Sequence, residues 1–341
     1  MMKFFAVLAL AFVGLLPAVA EARVITDAAG RTVSVPDKIN RILVAGPPAT
    51  VLVYVLAPEK LVGWAHAPDD AAKAYLMPSV RSLPSVGRLT GKDGTISAQA
   101  VMDAKPDIIL DAGTVDPTYK ALADKVQSAT GIPYILIDGS FARTADTLRD
   151  VGALIGVEDR ANKLADYADS AIKDLNEKLA TLPNDPRPRV YYGRGADGLE
   201  TGLSGSINLE ILDAVGTMNV AAAAGKGGLA KVTVQQVVGW NPDIIIAETP
   251  AFAASVRSDP QWAGIKAVKD GKIFVPPSLP FGWFDSPPGV NRLFGVRWME
   301  KLLYPKLFRS NFSDDVKQFY KLFYQVDLTD DQLAALLKGM K

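Results

Sequence analysis

Two segments of this chain repeat one another, and the distance between them limits what the chain can fold into. Val-Met-Asp-Ala-Lys-Pro-Asp-Ile-Ile-Leu-Asp-Ala-Gly at 101–113 and Val-Val-Gly-Trp-Asn-Pro-Asp-Ile-Ile-Ile-Ala-Glu-Thr at 237–249 share one order: a helix end, x-Pro-Asp, then an apolar run. In each, the proline stops the helix and the aspartate turns the chain into a buried strand. The period of about 136 residues is far too long for a solenoid and has the size of a lobe.

Short runs rich in β-branched residues recur at 41–46, 61–64, 108–113, 134–139, 190–193, 244–248 and 273–275, with helical patterns such as 118–131 and 144–155 between them. Continuous apolar strands alternating with helices predict parallel sheets covered on both faces. The fold class is therefore α/β. Between the halves, Ala161, Leu164, Ala168, Ile172, Leu175 and Leu179 recur every three or four residues and form one apolar stripe of a helix over 158–182. At ~1.5 Å per residue that helix spans about 37 Å. It ends at Pro183, where Asn-Asp-Pro-Arg-Pro reads as an extended connector. The expected division is an N-terminal lobe over 23–156, a joining helix over 157–183 and a C-terminal lobe over 184–341.

The first 22 residues fix the compartment. Lys3 supplies a positive start, an apolar core runs from Phe4 to Leu16, and Ala18-Val19-Ala20 fits the small-x-small cleavage rule, with a second cut after Ala22. The apolar core is shorter than the roughly 20 residues that span a bilayer, which predicts a signal peptide over 1–22 and not an anchor. With no cysteine in the chain there is no disulfide framework, no lipid-carrying N-terminal Cys and no Cys metal ligand. A free protein of a Gram-negative periplasm is expected. The 37 basic and 37 acidic side chains, without charge runs, argue against nucleic acid as a partner.

Ligands of open α/β sheets bind beyond the carboxyl ends of the strands. In the first lobe that rule selects Pro48, Thr50, Trp64, His66 and Arg88, with the stretch 111–114; in the second it selects Tyr191, Tyr192, Arg194, Glu248, Trp283 and Phe284. In the binding-loop-plus-helix segment 276–305, Arg292 lies four residues into a helix expected to begin near Pro288, and could pair there with Glu300 or Asp285. Pro47 and Pro48 lack the N–H groups of a phosphate cradle. The segment 202–206 opens a helix with small residues, and Ser206 is expected to cap it. Arginine forks suit anionic metal complexes and metal oxyanions, and the aromatic side chains would wall a small-molecule cleft. His66, the single histidine, cannot make a metal site alone but could complete the coordination of a metal that arrives with its own ligands. Trp240, Trp262 and Trp298 sit on helical or turn patterns and are expected to be structural.

Val-Ile-Thr-Asp-Ala-Ala-Gly-Arg-Thr-Val-Ser-Val-Pro at 24–36, then Arg41-Ile42, the two Pro-Asp-Ile-Ile segments, the joining helix and the helix at 206–216 together resemble the periplasmic binding proteins that serve iron-siderophore, haem and vitamin B12 transporters. The resemblance covers essentially the whole mature chain. It implies two Rossmann-like lobes joined by one long α-helix, a cleft that holds the solute, no cofactor, a monomer, and delivery to an inner-membrane ATP-driven (ABC) permease. It also brings Arg88 near the cleft. Many relatives carry a glutamate ahead of each Pro-Asp segment that pairs with permease arginines; the matching positions here are Gln99 and Gln235. Because the family includes binders of molybdate, tungstate and nickel chelates, and Pro287–Arg292 resembles a subgroup of iron-complex or metal-oxyanion binders, the solute is expected to contain a metal. A ferric siderophore or related iron complex leads; haem held by Tyr191, Tyr192 or His66, molybdate or tungstate, and a nickel chelate stay open. An enzyme is disfavoured: cluster-bearing relatives of this architecture need cysteines, and the histidine has no G-x-S-x-G or H-E-x-x-H context. A ligand-presenting subunit of a membrane sensor is the alternative of another class.

Overall fold

The computed structural model describes residues 22–90, 94–182 and 187–338. The expected signal peptide, apart from Ala22, and most of the expected connector lie outside them. The chain enters through an antiparallel hairpin of β1 (Ala22–Thr26) and β2 (Thr32–Pro36). Its turn is tied to the first lobe by Arg31, whose guanidinium donates to Asp27 and to the Tyr134 carbonyl, at 3.0 and 2.8 Å.

The first lobe is a parallel sheet in the order β3 (Ile42–Val44), β4 (Ile108–Gly113), β5 (Tyr134–Asp138). The run predicted at 61–64 contributes only isolated parallel bridges, Leu61 to Ile42 and Trp64 to Ser85. In the second lobe, β6 (Arg189–Gly193), β8 (Met218–Asn219), β10 (Ile244–Ala247) and β11 (Ile273–Phe274) pair in parallel in the order β11-β10-β6-β8, while β7 (Glu200–Gly202) and β9 (Leu229–Lys231) form a separate antiparallel ribbon. That ribbon was not read from the sequence, because strands of three residues leave no alternation to detect.

A helix over Glu158–Leu179 joins the lobes and buries Ala161, Leu164, Ala165, Ala168, Ala171 and Leu175. The fold is thus two α/β lobes linked by one long helix, as expected. Three apolar clusters fill it. One lies on the outer side of the first lobe under Val101, Ile109 and Tyr134; another lies in the second lobe around Tyr191, Phe252 and Trp262. The third is continuous from Ile42 and Leu110 in the first lobe through the joining helix to Tyr192, Ile246 and Trp283 in the second.

The end of the chain departs from the expected division. Its last helices, Phe312–Phe319 and Asp330–Leu337, follow the second lobe in sequence, yet the segment they flank returns to the first. Tyr54 Oη donates to the Tyr324 carbonyl at 2.7 Å, Gln332 Nε2 donates to Ala74 O at 2.9 Å, and Arg160 Nη2 of the joining helix donates to Leu322 O at 3.1 Å. A shared apolar core and this return strap therefore help the joining helix to hold the lobes.

Candidate functional site

Between the lobes, at the carboxyl ends of their strands, lies an open cleft of about 960 Å³. This is the upper end of the range of small-molecule pockets. Of the expected residues, Pro48, Thr50, Trp64, His66, Arg88 and Arg194 line it, together with the whole stretch 111–114. Pro47 and Pro48 start the helix Pro47–Leu56 at the cleft floor, so that helix offers no N–H at its first two positions. Thr50 Oγ1 is spent on its own helix, donating to Gly46 O at 3.2 Å. Trp64 is buried wall, its indole N–H on Val80 O at 3.0 Å, whereas His66 is exposed at the rim.

Arg194 follows β6 directly and is held among three acids, at 3.1 Å from Asp285 and 3.6 Å from both Glu200 and Glu248. Burial works against its charge, but Asp285, together with Tyr192, Glu248 and Glu200, more than restores it, and its pKa lies above the ordinary arginine value. Asp285 is itself buried, which raises its pKa, and accepts from Asn208 Nδ2 at 2.8 Å. Glu248 stands behind this group; its carboxylate accepts from Gly195 N at 2.7 Å and from the Ser286 hydroxyl, and does not line the cleft. A guanidinium so surrounded has little charge left to offer an anion.

The aromatic wall expected from Tyr191, Tyr192, Trp283 and Phe284 is corrected by the structure: all four rings are buried in the core. Successive strand residues face opposite sides of a sheet, not its end. β6 runs between two neighbours, so Tyr191 packs into the second-lobe core, its hydroxyl on Gly198 O at 2.6 Å, and Tyr192 faces the shared core against Phe284 at 4.4 Å. Trp283 packs on Phe294 and donates to Tyr320 Oη at 3.1 Å. Trp262 and Trp298 are buried as expected, and Trp240 packs partly against the second-lobe core.

Arg292 is also corrected. It lies behind the cleft, 1% exposed, and pairs with neither Glu300 nor Asp285. Nη1 donates to Ile207 O at 2.6 Å and to Glu210 at 3.0 Å; Nη2 crosses to Gly139 O of the first lobe at 2.6 Å. Glu210 in turn accepts from Phe141 N, again in the first lobe, at 2.7 Å. This pair clamps the lobes. Ser206 lines the cleft without capping its helix, donating instead to Asn208 Oδ1 at 3.3 Å.

Sequence reasoning missed Asp69, Thr90, Asp116, Tyr119, Asn208, Leu229 and Phe281, which line the cleft. Asp116-Pro117 carried a usable signal, because Asp at the cap followed by Pro marks a helix start, here at the cleft end of β4. The Asp116 carboxylate accepts from Thr118 N and Tyr119 N, and Asp69 caps its own helix through Ala72 N. Asp111 differs from both. It is 6% exposed at the end of the central strand β4, accepts the Tyr134 hydroxyl at 2.9 Å, and is pushed up to about 6 by burial, which outweighs that hydrogen bond. Among the described residues no group of three or more His, Cys, Asp or Glu is arranged to hold a bare metal ion.

Gln99 and Gln235 are exposed, each two residues after the cap of a short helix, Ala98–Asp103 and Val234–Trp240, and neither lines the cleft.

Two lobes on a single helix with a polar interlobe cleft define a solute-binding protein. The sequence matches the family described as Periplasmic binding protein over residues 45–279, and the chain belongs to it. Among curated relatives, the molybdate-binding protein MolA of Haemophilus influenzae is 27% identical, over 92% of this chain and 93% of that protein. The Fe(3+)-citrate-binding protein YfmC of Bacillus subtilis is 26% identical over 52% and 55%. The solved structure of an ABC transporter solute binding protein from Sulfurospirillum deleyianum superposes with a TM-score of 0.82 at 29% identity, covering 93% of this chain and 99% of that one. The protein is a periplasmic solute-binding component of an ABC import system. It works with an inner-membrane permease, takes a small ligand, and is not an enzyme.

Proposed function

We propose that the cargo is an anionic metal chelate, a ferric siderophore or a related iron complex such as a ferric hydroxycarboxylate, bound by a monomer and delivered by docking through Gln99 and Gln235. The observation that carries this reading is the cleft itself. At ~30 Å³ per water it has room for about thirty waters, far more than one tetrahedral oxyanion needs and suited to a metal wrapped in an organic ligand. Its rim offers His66 to an open coordination position and Arg88 to anionic oxygen. The name of YfmC points the same way.

A second reading, molybdate or tungstate, is favoured by one fact: a relative that aligns over nearly all of the chain is named for molybdate. Haem is less favoured, since Tyr191 and Tyr192 are core residues and only His66 remains of the side chains on which it rested. Metal analysis and the visible spectrum of protein recovered from its own periplasm test these readings. A charge-transfer band with iron supports the first, colourless protein with molybdenum or tungsten the second, and a Soret band would overturn both.

A further inference from the structure

The charges that line the cleft do not suit a simple anion trap. They are Arg88 and Arg194 against Asp69, Asp111 and Asp116. Arg194 is enclosed by Asp285, Glu200 and Glu248, and Asp69 and Asp116 are caps whose carboxyl oxygens accept backbone N–H groups. Beyond what Arg88 supplies, an anion entering this cleft needs its charge met from somewhere else. Among the described residues that line it, Asp111 is the one acid whose carboxyl is neither a cap nor part of an ion pair.

Its geometry is set by a single neighbour. Oδ2 accepts from Tyr134 Oη at 2.9 Å, and Tyr134, wholly buried, is held in its protonated form by that burial and by Asp111. Since Oδ2 is committed as an acceptor, a proton on this carboxyl sits on Oδ1, to which no group among the described residues donates. The groups around Asp111 are few. Tyr134 comes from β5, Tyr119 and its cap Asp116 from the helix Pro117–Thr130, and Arg31 lies behind Tyr134 on its carbonyl. None of them is a cation placed against the Asp111 carboxylate.

Resting on the reading of the cargo as an anionic metal complex, we propose that Asp111 binds it as a neutral acid, donating Oδ1–H to an anionic oxygen, so that each ligand enters together with one proton drawn from water. The neutral acid supplies a charge-assisted O–H···O⁻ bond, whereas the ionised form would present one more negative oxygen. Burial makes this arrangement accessible near neutral pH, since it places the free acid at about 6.

The test uses calorimetry with molybdate and with ferric citrate as probes, from about pH 5 to about pH 8, in pairs of buffers that differ in ionisation enthalpy. For the wild type the affinity is expected to fall about tenfold per pH unit above pH 6, with close to one proton taken up per ligand at pH 7.5. Asp111→Asn keeps an N–H donor towards the cleft and an acceptor for Tyr134. It should bind without proton uptake, lose the pH dependence attributable to the site, and at pH 7.5 exceed the wild type by about tenfold. Asp111→Ala should be weak at every pH. Circular dichroism confirms that each variant is folded. Binding by the wild type with no proton uptake, or an Asn variant that keeps the wild-type profile, overturns the role of Asp111 alone. If neither probe binds the folded wild type, the anionic-complex reading falls, and this inference falls with it.

Discussion

The turn that carries the chain into β4 and the one that carries it into β10 use the same atoms. Asp107 accepts from Arg41 N at 2.9 Å and Asp243 from Arg189 N at 3.0 Å, and the backbone N–H of each aspartate returns to the carbonyl of the same arginine at 2.8 Å. Both arginines also reach the carbonyl end of the preceding helix, Arg41 at Ala104 and Lys105 and Arg189 at Trp240. Even the strained residue recurs, Lys105 and Asn241 each having φ 46. At the other end of the same strands the likeness is gone. Where β4 carries Asp111 into the cleft, the matching place in β10 is Ala247; where Ala112 follows in the first lobe, Glu248 follows in the second and is spent on Arg194. The repeat persists where backbone groups must be satisfied and has been lost where a solute is met.

That comparison presupposes lobes that keep their places, and the largest effect is expected from breaking the clamp between them. Arg292→Met removes a buried cation and leaves Glu210 with no counter-charge, at a cost of about 3–5 kcal/mol. Urea denaturation measures the loss. Small-angle scattering on the wild type should show a nearly constant radius of gyration with and without cargo, because a continuous helix, the shared core and the Arg292–Glu210 pair all resist closure. A shrinkage of several ångströms on binding would show that these links yield.

Next in size is the difference between Asp111 and Ala247. Asp111 has a folded-state pKa of about 6 against an ordinary 3.8, so the native state keeps a proton that the unfolded chain releases. Stability contributed by this group is therefore present below about pH 4 and lost as pH rises through 6, on the order of 2–3 kcal/mol. Asp111→Asn should be the more stable protein at pH 7 and match the wild type near pH 4. Thermal melts at the two pH values decide it, and a variant that is less stable at pH 7 would mean that the Tyr134 hydrogen bond outweighs burial.

These asymmetries explain how much could be read beforehand. The two-lobe architecture, most sheet strands and the joining helix follow from apolar periodicity and from the Pro-Asp turns, which are local. Arg194 lines the cleft because it is the first residue beyond β6, and the helix that holds Pro48 reaches the cleft for the same kind of reason. Tyr191 and Tyr192 were misplaced because closeness to a strand end says nothing about which face of a central strand a side chain takes. Trp283, Phe284 and Arg292 were misplaced because their surroundings come from the C-terminal return strap, from Tyr192, and from Glu210 and Gly139, none of which is near them in sequence.

The two cleft arginines should separate in the same way. Arg88→Ala is expected to weaken binding of an anionic probe by about 1.5–3 kcal/mol, the range for a hydrogen bond to a charged group. Arg194→Ala should cost less than about 1 kcal/mol of affinity, because its charge is already met by Asp285, Glu248 and Glu200, and should appear instead as lost stability when Asp285 is left buried alone. Calorimetry and melts on both variants would break the comparison if Arg194 proved the stronger contact. A smaller contrast tests the shared turn: Asp107 accepts two backbone N–H groups, from Asn40 and Arg41, and Asp243 one, from Arg189. Asp107→Ala should cost about 1–2 kcal/mol and Asp243→Ala about 1 kcal/mol.

The smallest effect on binding is expected at the two positions where the repeat holds on the outer surface. Gln99 and Gln235 sit at the same place in short exposed helices, outside the cleft, and among the described residues neither pairs with a cation across the molecule; Gln99 donates to Asp103 at 2.8 Å. Changing both to Glu should leave solute affinity unchanged within calorimetric error and stability within a few tenths of a kcal/mol, since a carboxylate near a helix start is mildly favourable. Transport should respond where affinity does not. Uptake rises if the permease presents arginines to these sites, and falls if its surface is neutral or acidic, because like charges brought together at an interface are costly. A double variant that binds normally and is transported at the wild-type rate would remove these helices from the docking surface, and would leave their likeness as a matter of folding alone.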